Sequence, residues 1–456
     1  MEFSPWSLLV DAGLIGALLA IGTLLRATFK PLQDMMIPAG VIAGVLGLIL
    51  GPNVLGWLPF SDQLGTYGSV LIAAVFACMA LTSDFNLTKI GRSVGSFAAY
   101  GVLMYAAQVA VAMVLVLLVL GPLLGSPDYL GIMLFAGWAG GFGSAAAVGS
   151  ALGDAGYPEA ASIAFTSATV GLLVGVVGGI IQTRWGAKHG HARAYAGTKE
   201  IPKDLRTGVL DIVDGKQTQP IGNHLFSGGT IESLTFQVGL VAAVAAGAYG
   251  LNTLLGQWIP AVAFPLFTIA FVVGLIVRGL FSAARASRFI DQDSINSLSG
   301  TATDLLMVCG IASVVLSLVA DQWLALTILF VVGLALCLFL GLVLAPRVLG
   351  EGWFERQIFT WGWSTGAVAT GVALLRIADP KLKSRTLEDF SVAYLPVLPV
   401  EITAVTFVPL LVIAGAAWAV AGIWGAITVA ALIVSFVFLR LNARDGARAG
   451  LVSASR

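Results

Sequence analysis

All 24 Lys and Arg residues fall into alternate gaps between the hydrophobic segments of the chain, and the intervening gaps hold none. Cytoplasmic loops of membrane proteins collect Lys and Arg, so the gaps read in order give each segment a direction. The N-terminus, with only Glu2, starts outside. A span from about Leu8 delivers Arg26 and Lys30 inside, one from about Met36 returns to the stretch Gly51 to Thr66, and a third brings Lys89 and Arg92 inside. The fourth, about Val94 to Leu120, exits at Gly121 to Asp128, where the only charge is acidic. The next apolar segment, Tyr129 to Leu152, has loops without Lys or Arg on both sides. A single crossing there would make the following span, about Ala160 to Ile181, export the seven cations Arg184, Lys188, Arg193, Lys199, Lys203, Arg206 and Lys216. A re-entrant hairpin removes the conflict.

The second half repeats the logic. Spans from about Leu234, Phe264, Ala302 and Trp323 put Arg278, Arg285, Arg288, Arg347 and Arg356 inside. Phe359 to Leu375 lies between cationic loops and reads as a second hairpin, entered from the cytoplasm. Two final spans, about Val392 to Gly415 and Trp418 to Leu439, leave Arg440, Arg444, Arg448 and Arg456 inside. The pattern predicts an all-α integral membrane protein of about eleven transmembrane helices and two re-entrant hairpins. It would sit in the plasma membrane, the inner membrane of a bacterium, with the N-terminus outside and the central loop and C-terminus cytoplasmic.

Composition excludes an ordinary soluble fold: the chain is 58% hydrophobic and 11% charged, and its 55 glycines in 456 residues suit close helix packing in lipid. The first apolar stretch has no cation before it and Arg26 and Lys30 after it, so it reads as a retained span and not a cleaved signal. Cys78, Cys309 and Cys337 all fall inside spans and are expected to be small packing residues.

Five crossings per half reverse the orientation of the second half. The halves share landmarks in the same order. Ile37-Pro38-Ala39 opens the second span and Ile259-Pro260-Ala261 leads into its counterpart. The hairpins carry Gly137-Trp138-Ala139-Gly140-Gly141 and Gly362-Trp363-Ser364-Thr365-Gly366, both Gly-Trp-x-x-Gly, and leave through Asp154 to Pro158 and Asp379-Pro380. Gly137 follows Ile37 by 100 residues and Gly362 follows Ile259 by 103. The chain therefore divides into a first inverted repeat at 1–182 with hairpin 129–152, a cytoplasmic linker at 183–232, a second repeat at 233–416 with hairpin 359–375, and an additional helix with a tail at 417–456.

Opposed hairpins put non-helical backbone near the midplane, tolerated only where it is buried in protein or lines a wet cavity. Half-helix N-termini there can receive a carboxylate, while freed carbonyls and hydroxyls can coordinate Na⁺. Gly140, Gly141 and Gly143 allow a tight turn, Phe142 stands among them, and Ser144, Ser364, Thr365 and Thr370 supply oxygens beside Gly366. Glu401, with Thr403, lies deep in a span flanked by Pro396 and Pro409, which should interrupt its helix. A carboxylate at that depth is expensive, so it is expected to bind Na⁺ or carry a proton. Thr166, Ser167 and Thr169 in the corresponding first-half helix are either further ion ligands or hydroxyls bonded to their own backbone. Asp11, Asp84, Asp304 and Asp321 lie near span ends and read as solvated.

Enzyme chemistry finds little support. His189-Gly190-His191 has no accompanying metal ligands of suitable spacing. There is no phosphate-binding loop, no His-Glu-x-x-His and no nucleic-acid-type basic face. Gly153-Asp154 matches part of an intramembrane aspartyl protease signature, but Ala151 stands where a second Gly is required.

The run Gly140-Gly141-Phe142-Gly143-Ser144-Ala145-Ala146, the helix carrying Ala168-Thr169-Val170-Gly171-Leu172 with Gly178-Gly179, and the Ile37-Pro38 start resemble the sodium/glutamate symporter family. The resemblance reaches to about Phe407 and is strongest from Gly131 to Ile181. It implies an elevator-type, inverted-repeat transporter, typically a homodimer in the lipid bilayer, that takes up acidic amino acids with Na⁺. Its moving domain would hold the hairpins and the helices carrying Thr169 and Glu401. The spans beginning near Leu8, Met36, Leu234 and Phe264 would form the dimer scaffold. The chain departs from the pattern at Phe142, where members carry His, in a second hairpin without the family's Gly-rich run or the Asn residues beyond it, and in its last span. The expectation is a Na⁺-coupled symporter of glutamate or a related small carboxylate. Proton coupling through Glu401 with another organic anion is one alternative, and a non-transporting membrane sensor or assembly partner is the other.

Overall fold

Apolar runs of about 20 residues close all their peptide hydrogen bonds internally when helical and reach about 30 Å, the thickness of a hydrocarbon core. The structure, a computed structural model, describes residues 4–35, 37–82, 92–192, 206–209, 221–227, 229–258, 265–350, 352–379 and 382–454, and all regular structure among them is helical. Lys89, Arg193, Lys199, Lys203, Lys216, Asp84, Pro380 and the Ile259-Pro260-Ala261 landmark lie outside the described residues.

The chain opens with α1 (Pro5–Thr28), α2 (Ala39–Leu50), α3 (Leu64–Thr82) and α4 (Arg92–Leu115). A helix–break–helix pair follows, α5 (Met133–Gly137) and α6 (Gly141–Asp154), then α7 (Ala160–Lys188). Beyond the central segment come α8 (Ser233–Trp258), α9 (Leu266–Ala283), α10 (Gln292–Ala312) and α11 (Trp323–Leu338). A second broken pair, α12 (Trp353–Thr365) and α13 (Val368–Ala378), precedes α14 (Thr386–Ile413) and α15 (Ala417–Ala454).

Ten helices among the described residues are long and apolar enough to cross a membrane. The eleventh expected span is α2, which has only 12 residues because Pro38 caps its start in an extended conformation and Gly51 ends it. Its rise of roughly 18 Å falls short of a hydrocarbon core. The span expected from about Ala302 starts ten residues earlier, at Gln292, because Asp291 caps the Ser294 N–H and lets a polar lead-in join the helix. Pro396 and Pro409 do not interrupt α14, which runs unbroken through them and Pro399. Packing holds the helix where each proline withholds one N–H, leaving the carbonyls of Val392, Leu395 and Val405 without their helical donors.

Both α4 and α11 end in a π-helical segment followed by one α-turn that opens with a small residue and proline. These are Val116–Leu120 before Gly121-Pro122, and Phe339–Leu344 before Ala345-Pro346. A π-turn absorbs the register that proline cannot continue.

One large apolar core joins α4 to α7 with α11 to α15, and smaller clusters tie α1, α2, α3, α8, α9 and α10 together. Glycines set the closest approaches. A Cβ on Gly22 of α1 would stand 2.6 Å from the Ala39 carbonyl, and one on Gly44 of α2 would stand 2.8 Å from Ile311 of α10. Along α7, Gly171, Gly175, Gly178, Gly179 and Gly186 form a ridge of bare backbone against Thr365, Trp361, Leu374 and Phe354 of the second broken pair. Spacings of three, four and seven keep that ridge on one face. Cys78, Cys309 and Cys337 are buried and free.

Asp11 is not solvated. It is 1% exposed and accepts hydrogen bonds from the Ser61 N–H at 3.0 Å, the Ser61 hydroxyl at 2.5 Å and the Tyr67 hydroxyl at 2.7 Å. Asp304 and Asp321 are exposed, but Asp304 lies midway along α10 and not near its end, because that helix starts at Gln292.

Candidate functional site

The shared Gly-Trp-x-x-Gly motif places a glycine at each break, and the two glycines meet. After Gly137, residues 138–140 leave the helix and Gly141 restarts it at φ +62°, where a side chain would be strained. In the second pair the break is Gly366-Ala367, Gly366 at φ −152°, ψ −82° and Ala367 extended, with Ala367 N–H donating to the Gly362 carbonyl at 3.0 Å. A Cβ on Gly141 would lie 2.7 Å from the Gly366 carbonyl oxygen. The N-terminal turns of α6 and α13 thus start at one junction in the interior of the bundle, each bringing backbone N–H groups not used by the preceding turn.

Around it the described residues sort clearly. Ser144, Ser364 and Thr365 are buried, as is Phe142, while Gly140 packs on Ser144 and Gly143 faces Ile72. The Thr365 hydroxyl donates to the Trp361 carbonyl at 2.7 Å, and the Ser364 hydroxyl has no partner. Thr370, one turn into α13, lines a polar cavity shared with Arg26 and Asp304. Glu401 accepts a 2.6 Å hydrogen bond from Tyr394 on its own helix. Thr403, roughly 200° further round α14, is exposed and not brought to Glu401. On α7, Thr166 and Thr169 donate to the Ser162 and Phe165 carbonyls, and Ser167 donates to the Met133 carbonyl, tying α7 to α5. Each of these hydroxyls keeps lone pairs for a cation.

Four residues that sequence reasoning passed over complete the junction. Tyr105 and Gln108 come from α4, Trp138 from the first break and Tyr394 from α14. The Gln108 amide donates to the Ser364 carbonyl at 2.9 Å, but its oxygen is buried without a partner, as are the Trp138 indole N–H and the Tyr105 hydroxyl. Tyr105 lies within electrostatic reach of Glu401 and beside Ser144. Trp138 packs on bare Gly171 and stacks with Phe330 at 6.1 Å. One signal was available: Gln108 is the only amide side chain between Ser96 and Leu124.

Buried polar atoms are normally satisfied, so four orphans beside two touching helix breaks mark a site suited to polar guests. Among the described residues no cluster of three His, Cys, Asp or Glu could hold a metal, whereas Glu401, Tyr394 and the hydroxyls are oxygen ligands of the type hard cations take. His189 and His191 instead pack against Trp185, and His191 against Trp353.

Ten membrane-length helices among the described residues, with these unpartnered polar atoms buried between them, define an integral membrane protein with an internal polar site. Residues 8–376 match the sodium/glutamate symporter family, and the chain belongs to it. No curated protein sequence matches the chain. The family is one of transporters, with Na⁺ as coupling ion and glutamate as substrate.

Proposed function

We propose that this protein is a Na⁺-coupled symporter of glutamate or a related small carboxylate, binding its substrate where the two helix breaks meet. The observation that carries the reading is the Gly141–Gly366 junction ringed by the unpartnered Ser364 hydroxyl, Tyr105 hydroxyl, Trp138 N–H and Gln108 carbonyl. Donors outnumber acceptors there, and the N-terminal turns of α6 and α13 add more, which suits carboxylates without any Lys or Arg. The Gln108 oxygen and Glu401 are the acceptors for an ammonium group or Na⁺. Gly140, Gly141, Phe142, Gly143, Ser144, Ser364, Thr365, Gly366 and Thr370 form the substrate side. Glu401, with Thr166, Ser167 and Thr169, forms the ion side, and Thr403 acts only if α14 turns.

In this reading the broken pairs are re-entrant hairpins entered from opposite faces, and 1–182 and 233–416 are inverted repeats. The matched π-segments before Gly121-Pro122 and Ala345-Pro346 support that division. The N-terminus lies outside and the cationic loops inside. The hairpin-bearing body moves elevator-fashion against a homodimeric scaffold of α1, α2, α8 and α9. A second reading, proton coupling, is favoured by the Tyr394–Glu401 pair, which can hold a proton between a phenol and a carboxylate.

Radiolabelled glutamate uptake into proteoliposomes, with and without an inward Na⁺ gradient, tests the proposal alongside Glu401→Gln. Na⁺-dependent accumulation abolished in the variant is expected. Uptake that ignores Na⁺ and collapses with a protonophore selects proton coupling, and binding without accumulation selects a sensor.

A further inference from the structure

A polar cavity adjoins the junction and shares Thr370 with it. The cavity, of about 510 Å³, runs between α1, the start of α2 and α10 on one side and α7 and α13 on the other. Its polar lining is Thr23, Arg26, Asp304 and Thr370. By contrast, the groove of about 550 Å³ between α3 and α8 is lined by residues such as Val70, Ala74, Val241 and Ala245 and suits a lipid chain. Charged groups of both signs at this depth call for a reason, since each is costly against lipid.

Close contacts establish the depth of the cavity. Gly22, next to Thr23, touches the Ala39 carbonyl, and a Cβ on the following Gly40 would lie 3.6 Å from the Asp304 carbonyl. Thr23, the first turn of α2 and Asp304 therefore share a level, and Arg26 stands about one turn nearer the face where α1 ends and α10 begins. On the opposite wall, Thr370 follows Gly366 by four residues and Val176 follows Gly175, which packs on Thr365. The chamber thus reaches within about one turn of the junction and leads from it toward the face that holds Arg26. Arg26 also packs against Gly208 of the central segment. Its guanidinium has five donors in a fork that fits a carboxylate.

A carboxylate, a guanidinium and two hydroxyls in a chamber within the roughly 300–1,000 Å³ of small-molecule sites are the complement of an α-amino acid head group. We propose that this cavity is a second, cytoplasm-side binding site for the transported amino acid: Asp304 takes its ammonium group, Arg26 its carboxylate, and Thr23 and Thr370 hydrogen-bond it on the way between the junction and the cytoplasm. The proposal rests on the glutamate reading and on the inside placement of Arg26. It adds Thr23, Arg26 and Asp304 of the non-hairpin body, which the junction does not use, to Thr370 of the second hairpin.

Asp304→Asn and Arg26→Gln, each in proteoliposomes of defined orientation, test it through the half-saturation for glutamate on each side. The expected result is a rise of about tenfold on the cytoplasmic side for either variant, the loss of one charged contact, with the outer-side value unchanged. Thr23→Cys provides a second readout that does not depend on those charges, because Thr23 lines the cavity from outside the hairpins and Cys78, Cys309 and Cys337 are buried. A membrane-impermeant thiol reagent applied from the cytoplasmic side should label it, and glutamate should slow the labelling. Equal shifts on both sides, no shift, or labelling indifferent to glutamate overturns the second site while leaving the symport reading intact. A wild-type protein that transports no glutamate in either direction overturns both.

Discussion

Gly141→Ala tests the junction at its narrowest point. The residue sits at φ +62°, where a Cβ costs roughly 1–2 kcal/mol. The new methyl group would also stand 2.7 Å from the Gly366 carbonyl oxygen, closer than such contacts are found, so the two breaks must part by several tenths of an ångström. Neither oxygen nor methyl is the end of a flexible side chain, so the backbone itself must give. Adding a comparable clash, the penalty is on the order of 2–3 kcal/mol, or about 30- to 150-fold in an equilibrium constant. It falls on the folded state, on substrate affinity, or on both. Gly153→Ala is the control, because a Cβ there meets nothing within 4 Å. Thermal unfolding in detergent and glutamate half-saturation in proteoliposomes should be measured together on both variants. If Gly141→Ala matches wild type in both quantities, the two breaks do not touch as described.

Two further outcomes follow from the hydrogen bonding. Ser61→Ala removes the 2.5 Å hydroxyl bond to buried Asp11 and should destabilise the protein by about 1.5–3 kcal/mol, read as a lowered midpoint in thermal unfolding, with Tyr67→Phe acting in the same direction. At the start of α10, burial works to raise the Asp291 carboxyl, but hydrogen bonds from Ser294 and Asn223 outweigh it and hold it at about 2, below its ordinary 3.8. Its stabilising contribution is therefore complete above about pH 4 and lost as pH falls toward 2, so the stability gap between wild type and Asp291→Asn should narrow over that window.

The architecture was legible where physics leaves few options. Membrane length, the positive-inside bias and the Gly-Trp-x-x-Gly pairs locate nearly every long helix and both helix breaks. Local signals failed where tertiary packing overrides them. Pro396 and Pro409 of α14 read as interruptions, yet packing keeps that helix continuous through them. Asp11 reads as a solvated end residue because its partners, Ser61 and Tyr67, are 50 and 56 residues away. The site was half visible. Glycines and hydroxyls at the breaks announce themselves, and Glu401 stands out by its cost. Tyr105, Gln108 and Trp138 pass for ordinary core residues until the atoms they leave unsatisfied can be seen.

The glycine ridge of α7 has a mechanical meaning. Five backbone contacts against the second broken pair, sealed by fully buried Trp361, Leu374 and Phe354, act as a clasp along most of the length of the first arm and at Leu374 of the second. Swinging those arms away would open a dry void along the whole ridge, whereas sliding α7 and the arms together disturbs none of it. Any flap that admits a guest is therefore confined to the few residues around Gly366, and larger displacements must carry α7 with them.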